Sequence, residues 1–144
     1  MEIVTLKYLA MQQALATLDE VLKHSNILVE SKIDFKIIQD SMIKRFEYCI
    51  DSFWKFLKIY IEEEKQIAVK IPSPREVLTL SLQNNLITEA ECQILINAVS
   101  DRNLTAHTYN QVLANQISNQ IPLYFNVMKA IIDRLQQVSG DFNE

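Results

Sequence analysis

The stretch MIKRFEYCIDSFWKFLKIYIEEE, residues 42–64, decides the fold class of this chain of 144 residues. Apolar side chains recur in it at intervals of three and four residues, the spacing that places them along one face of an α-helix. The pattern extends back to Asp34, which could cap the helix, and it predicts one helix of about 45 Å that ends at Glu64. We expect Trp54 and the phenylalanines in the core or in a subunit interface rather than in a ligand cage. The predicted apolar face consists of Ile38, Met42, Phe46, Cys49 or Ile50, Phe53, Leu57, Tyr60 and Ile61.

The same periodicity predicts a helix before this stretch and another near the end of the chain. The first runs over about residues 3–24, with His24 on the surface at its C-terminal end. The last carries an apolar seam from Ile117 to Val138 that suits a bundle or a partner helix. Pro122 lies inside this seam, so we expect a kink or a short break near residues 118–122.

Two short motifs predict the starts of the remaining helices. In SPRE, residues 73–76, Ser73 reads as the N-cap, Pro74 as the first helical residue, and Glu76 as the partner that closes a capping box. This helix should end near Asn84 and Asn85, because asparagine tolerates the left-handed conformation of a helix terminator. The motif TEAE, residues 88–91, repeats the capping-box pattern and starts the fourth helix.

The composition supports an all-α protein, since the chain has only one glycine and three prolines. A β-sandwich or barrel needs turn residues every ten or so positions, and they are missing here. The length suits one domain over residues 1–144. We therefore predict a single-domain, antiparallel up-and-down bundle of four to five helices joined by short loops.

Charge and motif content exclude several classes of function. The formal net charge of −4 gives no general attraction for phosphates or anionic lipids, so any nucleic-acid contact must come from a local patch. The sequence has no glycine-rich loop, zinc-binding spacing or Ser–His–Asp pattern, and residues 62–64 look like a solvated acidic helix end. We expect no metal and no cofactor. Cys49 and Cys92 are expected to be buried free thiols in a soluble, cytoplasmic protein without a membrane span.

The stretch DRNLTAHTYN, residues 101–110, concentrates polar and titratable side chains between two helices. One interpretation is an ordinary helix joint, with Asn103 or Thr105 as N-cap and with Arg102 and His107 on the surface. The other is a site for phosphodiester chemistry. A histidine can move protons near neutral pH, and an arginine can stabilise the charge that grows on phosphoryl oxygens.

Geometry constrains the second interpretation. Five residues along a straight α-helix correspond to a rotation of about 140°, so Arg102 and His107 would point in different directions. Either the helix breaks between them, or a two-fold axis brings two copies of the pair into one cleft. The second arrangement also supplies two histidines, one as base and one as acid, for metal-free RNA cleavage through the 2′-hydroxyl.

Three segments in order resemble a known family. RNLTAHTY fits the Arg-polar-x-x-x-His signature of HEPN domains, with the additional tyrosine of the HepT-like group. RFEYCIDSFWKFLKIYIEE and SPREVL look like the second- and third-helix segments of the bacterial nucleotidyltransferase substrate-binding proteins. The resemblance covers roughly residues 5–138.

This resemblance implies a homodimeric helical bundle, encoded beside a minimal nucleotidyltransferase, that acts as a ribonuclease toxin with RNA as substrate. By similarity, Arg102 would bind the scissile phosphate, His107 would do acid–base work without a metal, and Asn103 would orient one of them. Tyr109 would be the target of AMP transfer by the nucleotidyltransferase, which acts as antitoxin. Two alternatives remain open: a non-catalytic subunit that binds substrate or nucleotide for the nucleotidyltransferase, and a purely structural helical dimer.

Overall fold

The computed structural model describes residues 2–24 and 32–139, and these form five α-helices. The helices are α1 (Ile3–His24), α2 (Lys32–Glu64), α3 (Pro74–Gln83), α4 (Glu89–Leu104) and α5 (Gln111–Ser139), with one turn of 3₁₀ helix (Thr105–His107) between α4 and α5. The predicted all-α bundle is confirmed, and the described part contains no strand. None of these helices is long and apolar enough to cross a membrane.

Helix α2 is the centre of the bundle and contacts all four other helices. Its apolar face is buried from Met42 to Ile61 as predicted, with Ile38 only partly buried, and both Cys49 and Ile50 belong to it. The two cysteines are free and buried, and burial raises the pKa of Cys49 to about 12. The largest fully buried side chains of α2 are Phe46, Ile50, Phe53, Phe56, Leu57, Tyr60 and Ile61.

The start of α2 differs from the prediction. The helix begins at Lys32, so Asp34 lies within its first turn and does not cap it. A carboxylate in the first turn is favourable because the helix dipole places partial positive charge there. The residues just before Lys32 and the side chain of His24 lie outside the described residues.

The two predicted capping boxes have different outcomes. At α4, the Thr88 hydroxyl accepts from the Glu91 N–H and the Glu91 carboxylate accepts from the Thr88 N–H, so the box is complete. At α3, the Ser73 hydroxyl accepts from the Glu76 N–H at 3.3 Å, but the Ser73 N–H donates to the Ile71 carbonyl. The predicted hydrogen bond from the Ser73 N–H to the Glu76 side chain, which would complete the capping box, is therefore wrong. Asn84 caps the C-terminus of α3 and Asn85 takes the expected left-handed conformation, with φ of 60°.

Helix α5 continues through Pro122, so the chain does not break there. A proline has no N–H for the carbonyl four residues earlier, which here belongs to Ser118. Pro122 is exposed, so this carbonyl lies toward the solvent side of the helix, where water can bond to it. The apolar seam of α5 faces the core, with Ile117, Ile121, Tyr124, Met128, Ile131 and Leu135 buried. The side chain of Val138 lies outside the described residues.

Candidate active site

The α-helical geometry ends between Arg102 and His107. Helix α4 stops at Leu104, and the next three residues form the 3₁₀ turn. Two threonines fix this change of geometry, because the Thr105 hydroxyl donates to the Arg102 carbonyl at 2.7 Å and the Thr108 hydroxyl donates to the Thr105 carbonyl at 2.9 Å. Such short side-chain bonds compete with the continuation of an α-helix. The first of the two predicted arrangements, a break between the arginine and the histidine, is therefore present within one subunit.

Carboxylates of α2 hold the Arg102 guanidinium. Its Nε donates to Asp51 Oδ1 at 3.2 Å and one terminal nitrogen donates to Asp51 Oδ2 at 3.1 Å, which makes a bidentate pair. The other terminal nitrogen lies 3.3 Å from Glu47 Oε2 and 3.1 Å from the Thr105 hydroxyl. The hydrogen bond to Asp51 is the main cause of a raised Arg102 pKa, so the guanidinium stays charged. A planar guanidinium with this many partners has a fixed orientation.

Glu47 and Asp51 are the site residues that the sequence analysis missed. They are spaced four residues apart, so both project from the same side of α2 toward the end of α4. An acidic pair within the aromatic-rich stretch at residues 45–60 is the signal that could have indicated them. Glu47 is also 3.8 Å from Lys44, and its side chain is only 18% exposed.

A groove of about 410 Å³ opens beside Arg102. Asn103 is exposed on its wall, one residue after the arginine, where its amide is free to meet a bound group. Trp54 is partly buried and packs against the core, as expected, but part of its ring also lines the groove. The complete lining is Ile50, Asp51, Trp54, Lys55, Pro74, Val99, Arg102, Asn103 and Ala106.

His107 and Tyr109 lie on the turn that follows. Both are exposed, Tyr109 to 85%, and their rings meet edge to face with centroids 6.0 Å apart. Tyr109 and Thr108 line a second groove of about 350 Å³ with Lys36, Asp40 and Ile43 of α2. His107 does not line the Arg102 groove. Within one subunit, Arg102 and Asn103 line the same groove, and the rings of His107 and Tyr109 contact each other on the turn. Among the described residues, no hydrogen bond joins the first pair to the second.

Tyr124 of α5 anchors the end of α4 below the site. Its hydroxyl donates to Asp101 at 2.6 Å, and its ring stacks on Phe46 of α2 with centroids 5.6 Å apart. Burial, followed by the hydrogen bond to Asp101, raises the pKa of Tyr124, so it stays protonated as the donor. Three helices therefore meet directly before Arg102, which gives the site a rigid base.

Residues 6–137 match the model of the family described as nucleotidyltransferase substrate binding protein like. The chain belongs to this family. A solved structure from Thermus thermophilus is 34% identical to the chain, with 88% of this chain and 98% of the other covered and a TM-score of 0.74. No match is found among curated proteins.

Two further solved structures share the fold of this family member at lower identity. The tri-AMPylated HEPN toxin of Shewanella oneidensis, in complex with an MNT antitoxin, is 19% identical over 95% of this chain and 99% of its own, with a TM-score of 0.71. A mutant of the toxin–antitoxin pair MntA–HpeT is 21% identical over 94% of this chain and 98% of its own, with a TM-score of 0.73. Membership of the nucleotidyltransferase substrate-binding group that the sequence indicated is thereby confirmed, and the fold is shared with these HEPN and HepT-type toxins.

Proposed function

We propose that the chain is a HEPN-type ribonuclease toxin that cleaves RNA without a metal and is neutralised by a minimal nucleotidyltransferase antitoxin. The observation that carries this proposal is that a turn with an exposed His107 directly follows the rigidly held, charged Arg102. The names of the two solved relatives at lower identity, a HEPN toxin with its MNT antitoxin and the pair MntA–HpeT, agree with it. Among the described residues no group of His, Cys, Asp and Glu has the arrangement of a metal site.

The reaction needs a second copy of the chain. In the proposed homodimer, His107 of one subunit takes the proton of a 2′-hydroxyl, the 2′-oxygen bonds to phosphorus, and the bond to the 5′-oxygen breaks. The partner's His107 gives the leaving 5′-oxygen its proton. Arg102 stabilises the charge on the non-bridging oxygens, and Asn103 orients the phosphate or the guanidinium. The products are a 2′,3′-cyclic phosphate and a free 5′-hydroxyl.

Exposed apolar side chains around the motif support this dimer. Leu104 is 41% exposed and Val112 is 66% exposed, and both flank the turn that carries His107 and Tyr109. Exposed apolar side chains on both sides of a motif are available for another protein to cover. A second copy seated here would bring two copies of the motif to one cleft.

Tyr109 is the proposed modification site. Its oxygen would attack the α-phosphorus of ATP held by the nucleotidyltransferase, with loss of the phenol proton and of pyrophosphate. The added nucleotide would place bulk and negative charge beside His107 and repel an RNA backbone. Tyr48, exposed to 57%, is the matched control, because Tyr8, Tyr60 and Tyr124 are buried. With the nucleotidyltransferase, ATP and Mg²⁺, the mass of added AMP should persist in Tyr48→Phe and vanish in Tyr109→Phe; its persistence in Tyr109→Phe would contradict the assignment.

Cleavage of a labelled single-stranded RNA in EDTA tests the catalytic proposal. Wild-type protein should cut, and His107→Ala should reduce the rate by about 10²- to 10⁴-fold, the usual contribution of general acid–base catalysis. His107 is exposed, so the variant should unfold at the wild-type temperature. An intact RNA with wild-type protein, or equal rates for the two proteins, contradicts the proposal.

One observation favours a second candidate, the non-catalytic binding subunit. Four contacts already occupy the Arg102 guanidinium, which offers five N–H donors in all, so a phosphate must compete with Asp51 and Glu47. Binding of a nucleotide or of the nucleotidyltransferase's substrate without any RNA cleavage, in wild-type protein and in His107→Ala alike, is the result that this candidate predicts.

A further inference from the structure

The groove beside Arg102 combines an aromatic surface with charge and an amide. Trp54 and Pro74 supply apolar surface, Lys55 supplies a cation, and the exposed Asn103 supplies both a donor and an acceptor. The Lys55 ammonium lies over the face of the Trp54 ring, 5.9 Å from its centre, which is a cation–π contact. The volume of about 410 Å³ is within the usual range of pockets that hold a small ligand.

Among the described cations near this groove, Arg102 is paired with Asp51 and Glu47, but two others make no ion pair. Lys55 makes no ion pair in the described part of the chain, and neither does Arg75, which follows Pro74 and donates to the Ser100 hydroxyl of α4 at 2.9 Å. Most other cations of the described helices are paired, as Lys58 is with Glu62 and Lys129 with Asp133. Lys55 lines the groove, and Arg75 follows the lining residue Pro74 in the sequence. Together with Arg102, these cations outnumber the carboxylates of Asp51 and Glu47, which leaves a small local excess of positive charge for a phosphate backbone.

We propose that this groove binds one unpaired nucleotide of single-stranded RNA, with the base stacked on Trp54 and the adjoining phosphates near Lys55 and Arg75. Asn103 then reads an edge of the base. The inference rests on the proposed function, which puts the scissile phosphate at Arg102. It adds to that function a binding site for the neighbouring nucleotide. A base has two apolar faces and a polar edge, which matches an indole beside an amide. A paired base is already stacked and could not enter.

The chain has a single tryptophan, so fluorescence excited beyond the absorption of its five tyrosines reports on Trp54 and thus on this groove. A single-stranded RNA with 2′-O-methyl groups has no free 2′-hydroxyl and cannot be cut by the proposed reaction, so binding can be titrated without cleavage. We expect this RNA to quench the Trp54 fluorescence to saturation in wild-type protein and equally in His107→Ala. An RNA of the same length with abasic sites should bind more weakly and quench little, because it has no base to stack.

Three variants test the roles of the groove residues by the anisotropy of a labelled RNA. Trp54→Leu should weaken binding by about 5- to 100-fold, the usual loss of one base–aromatic stack, and Trp54→Phe by only a few-fold. Lys55→Ala should reduce the slope of log affinity against log salt by about one. Lys7→Ala is the matched control, since Lys7 is an exposed cation of α1 without an ion pair among the described residues, and it should leave the slope unchanged.

These outcomes separate the groove from the catalytic proposal. RNA cleavage that depends on His107, together with unquenched Trp54 in wild-type protein and wild-type affinity in Trp54→Leu and Lys55→Ala, overturns the groove and leaves the ribonuclease intact. Quenching of Trp54 without any RNA cleavage supports the groove and overturns the ribonuclease. Free AMP that quenches at the same concentration as the RNA overturns the choice of occupant and indicates a mononucleotide site. Absence of RNA binding overturns the groove as an RNA site.

Discussion

The bidentate pair between Arg102 and Asp51 should couple α4 to α2 measurably. Two charge-assisted hydrogen bonds at 3.1 and 3.2 Å join the residues, whose side chains are 32% and 39% exposed. Exposed ion pairs contribute about 0.2–1 kcal/mol, and hydrogen bonds to charged groups in better-shielded places about 1.5–3 kcal/mol. Solvent screens this pair, so we expect a coupling free energy of about 1 kcal/mol.

A double-mutant cycle with Arg102→Ala, Asp51→Ala and the double variant measures this coupling. Each protein is unfolded in urea and followed by far-ultraviolet circular dichroism, and the free energies of unfolding are compared at zero denaturant. Asp51→Ala leaves Arg102 with Glu47 as a partner. The free energy of unfolding of this single variant should therefore fall by little more than the coupling free energy.

The pair between Lys129 and Asp133 is the control for this cycle. It lies within α5, with side chains 54% and 46% exposed, and it should show a coupling below about 0.5 kcal/mol. If the Arg102–Asp51 cycle gives no larger a value than this control pair, then α2 does not fix the guanidinium and our account of its orientation is wrong.

Three further predictions concern the rest of the bundle. Burial raises the pKa of Glu91, but the hydrogen bonds from Arg134 and from the Thr88 N–H lower it by more, so the net shift is downward. The ionised Glu91 therefore stabilises the fold above the unfolded-state pKa of about 4.3, and this stabilisation is lost as the pH falls below that value. When the free energy of unfolding is measured at decreasing pH, it should fall less in Glu91→Gln than in wild type. Curves that run parallel for the two proteins would contradict this role of Glu91. Gln39, 2% exposed, donates to Asn115 and Ser118 of α5, so Gln39→Ala should cost about 2 kcal/mol in urea unfolding, and a cost below about 0.5 kcal/mol would contradict the network. Cys49, with its pKa raised to about 12, should resist a thiol reagent at pH 8 until the protein unfolds, whereas rapid native labelling of Cys49 would contradict its burial.

Local signals predicted most of the helices. The seams of α1, α2 and α5 depend only on residue spacing, and the Thr88–Glu91 box depends on residues three positions apart, so all of them were visible in the sequence. One failed prediction involves a competing local bond, since the Ser73 N–H donates to the Ile71 carbonyl and not to the Glu76 side chain. The short break expected near Pro122 is absent because α5 continues through this residue, whereas the kink given as its alternative stays a prediction.

The motif predicted which residues of the site to examine, but not what holds them. Arg102 is 51 positions from Asp51, and only the packing of α4 against α2 brings the two together. The sequence offered a break or a two-fold axis as ways of relating Arg102 to His107, and the hydroxyl of Thr105 shows how the break arises. The two-fold axis stays a prediction.

Dilution of wild-type subunits with His107→Ala subunits tests the shared cleft most directly. The two proteins are mixed, unfolded and refolded together at a fixed total concentration, and cleavage of single-stranded RNA is measured in EDTA. If each cleft needs a histidine from both copies, activity follows the square of the wild-type fraction, so a mixture that is one-quarter wild type retains about one-sixteenth of full activity. Retention of about one-quarter, as expected for subunits that act alone, would contradict the two-copy site.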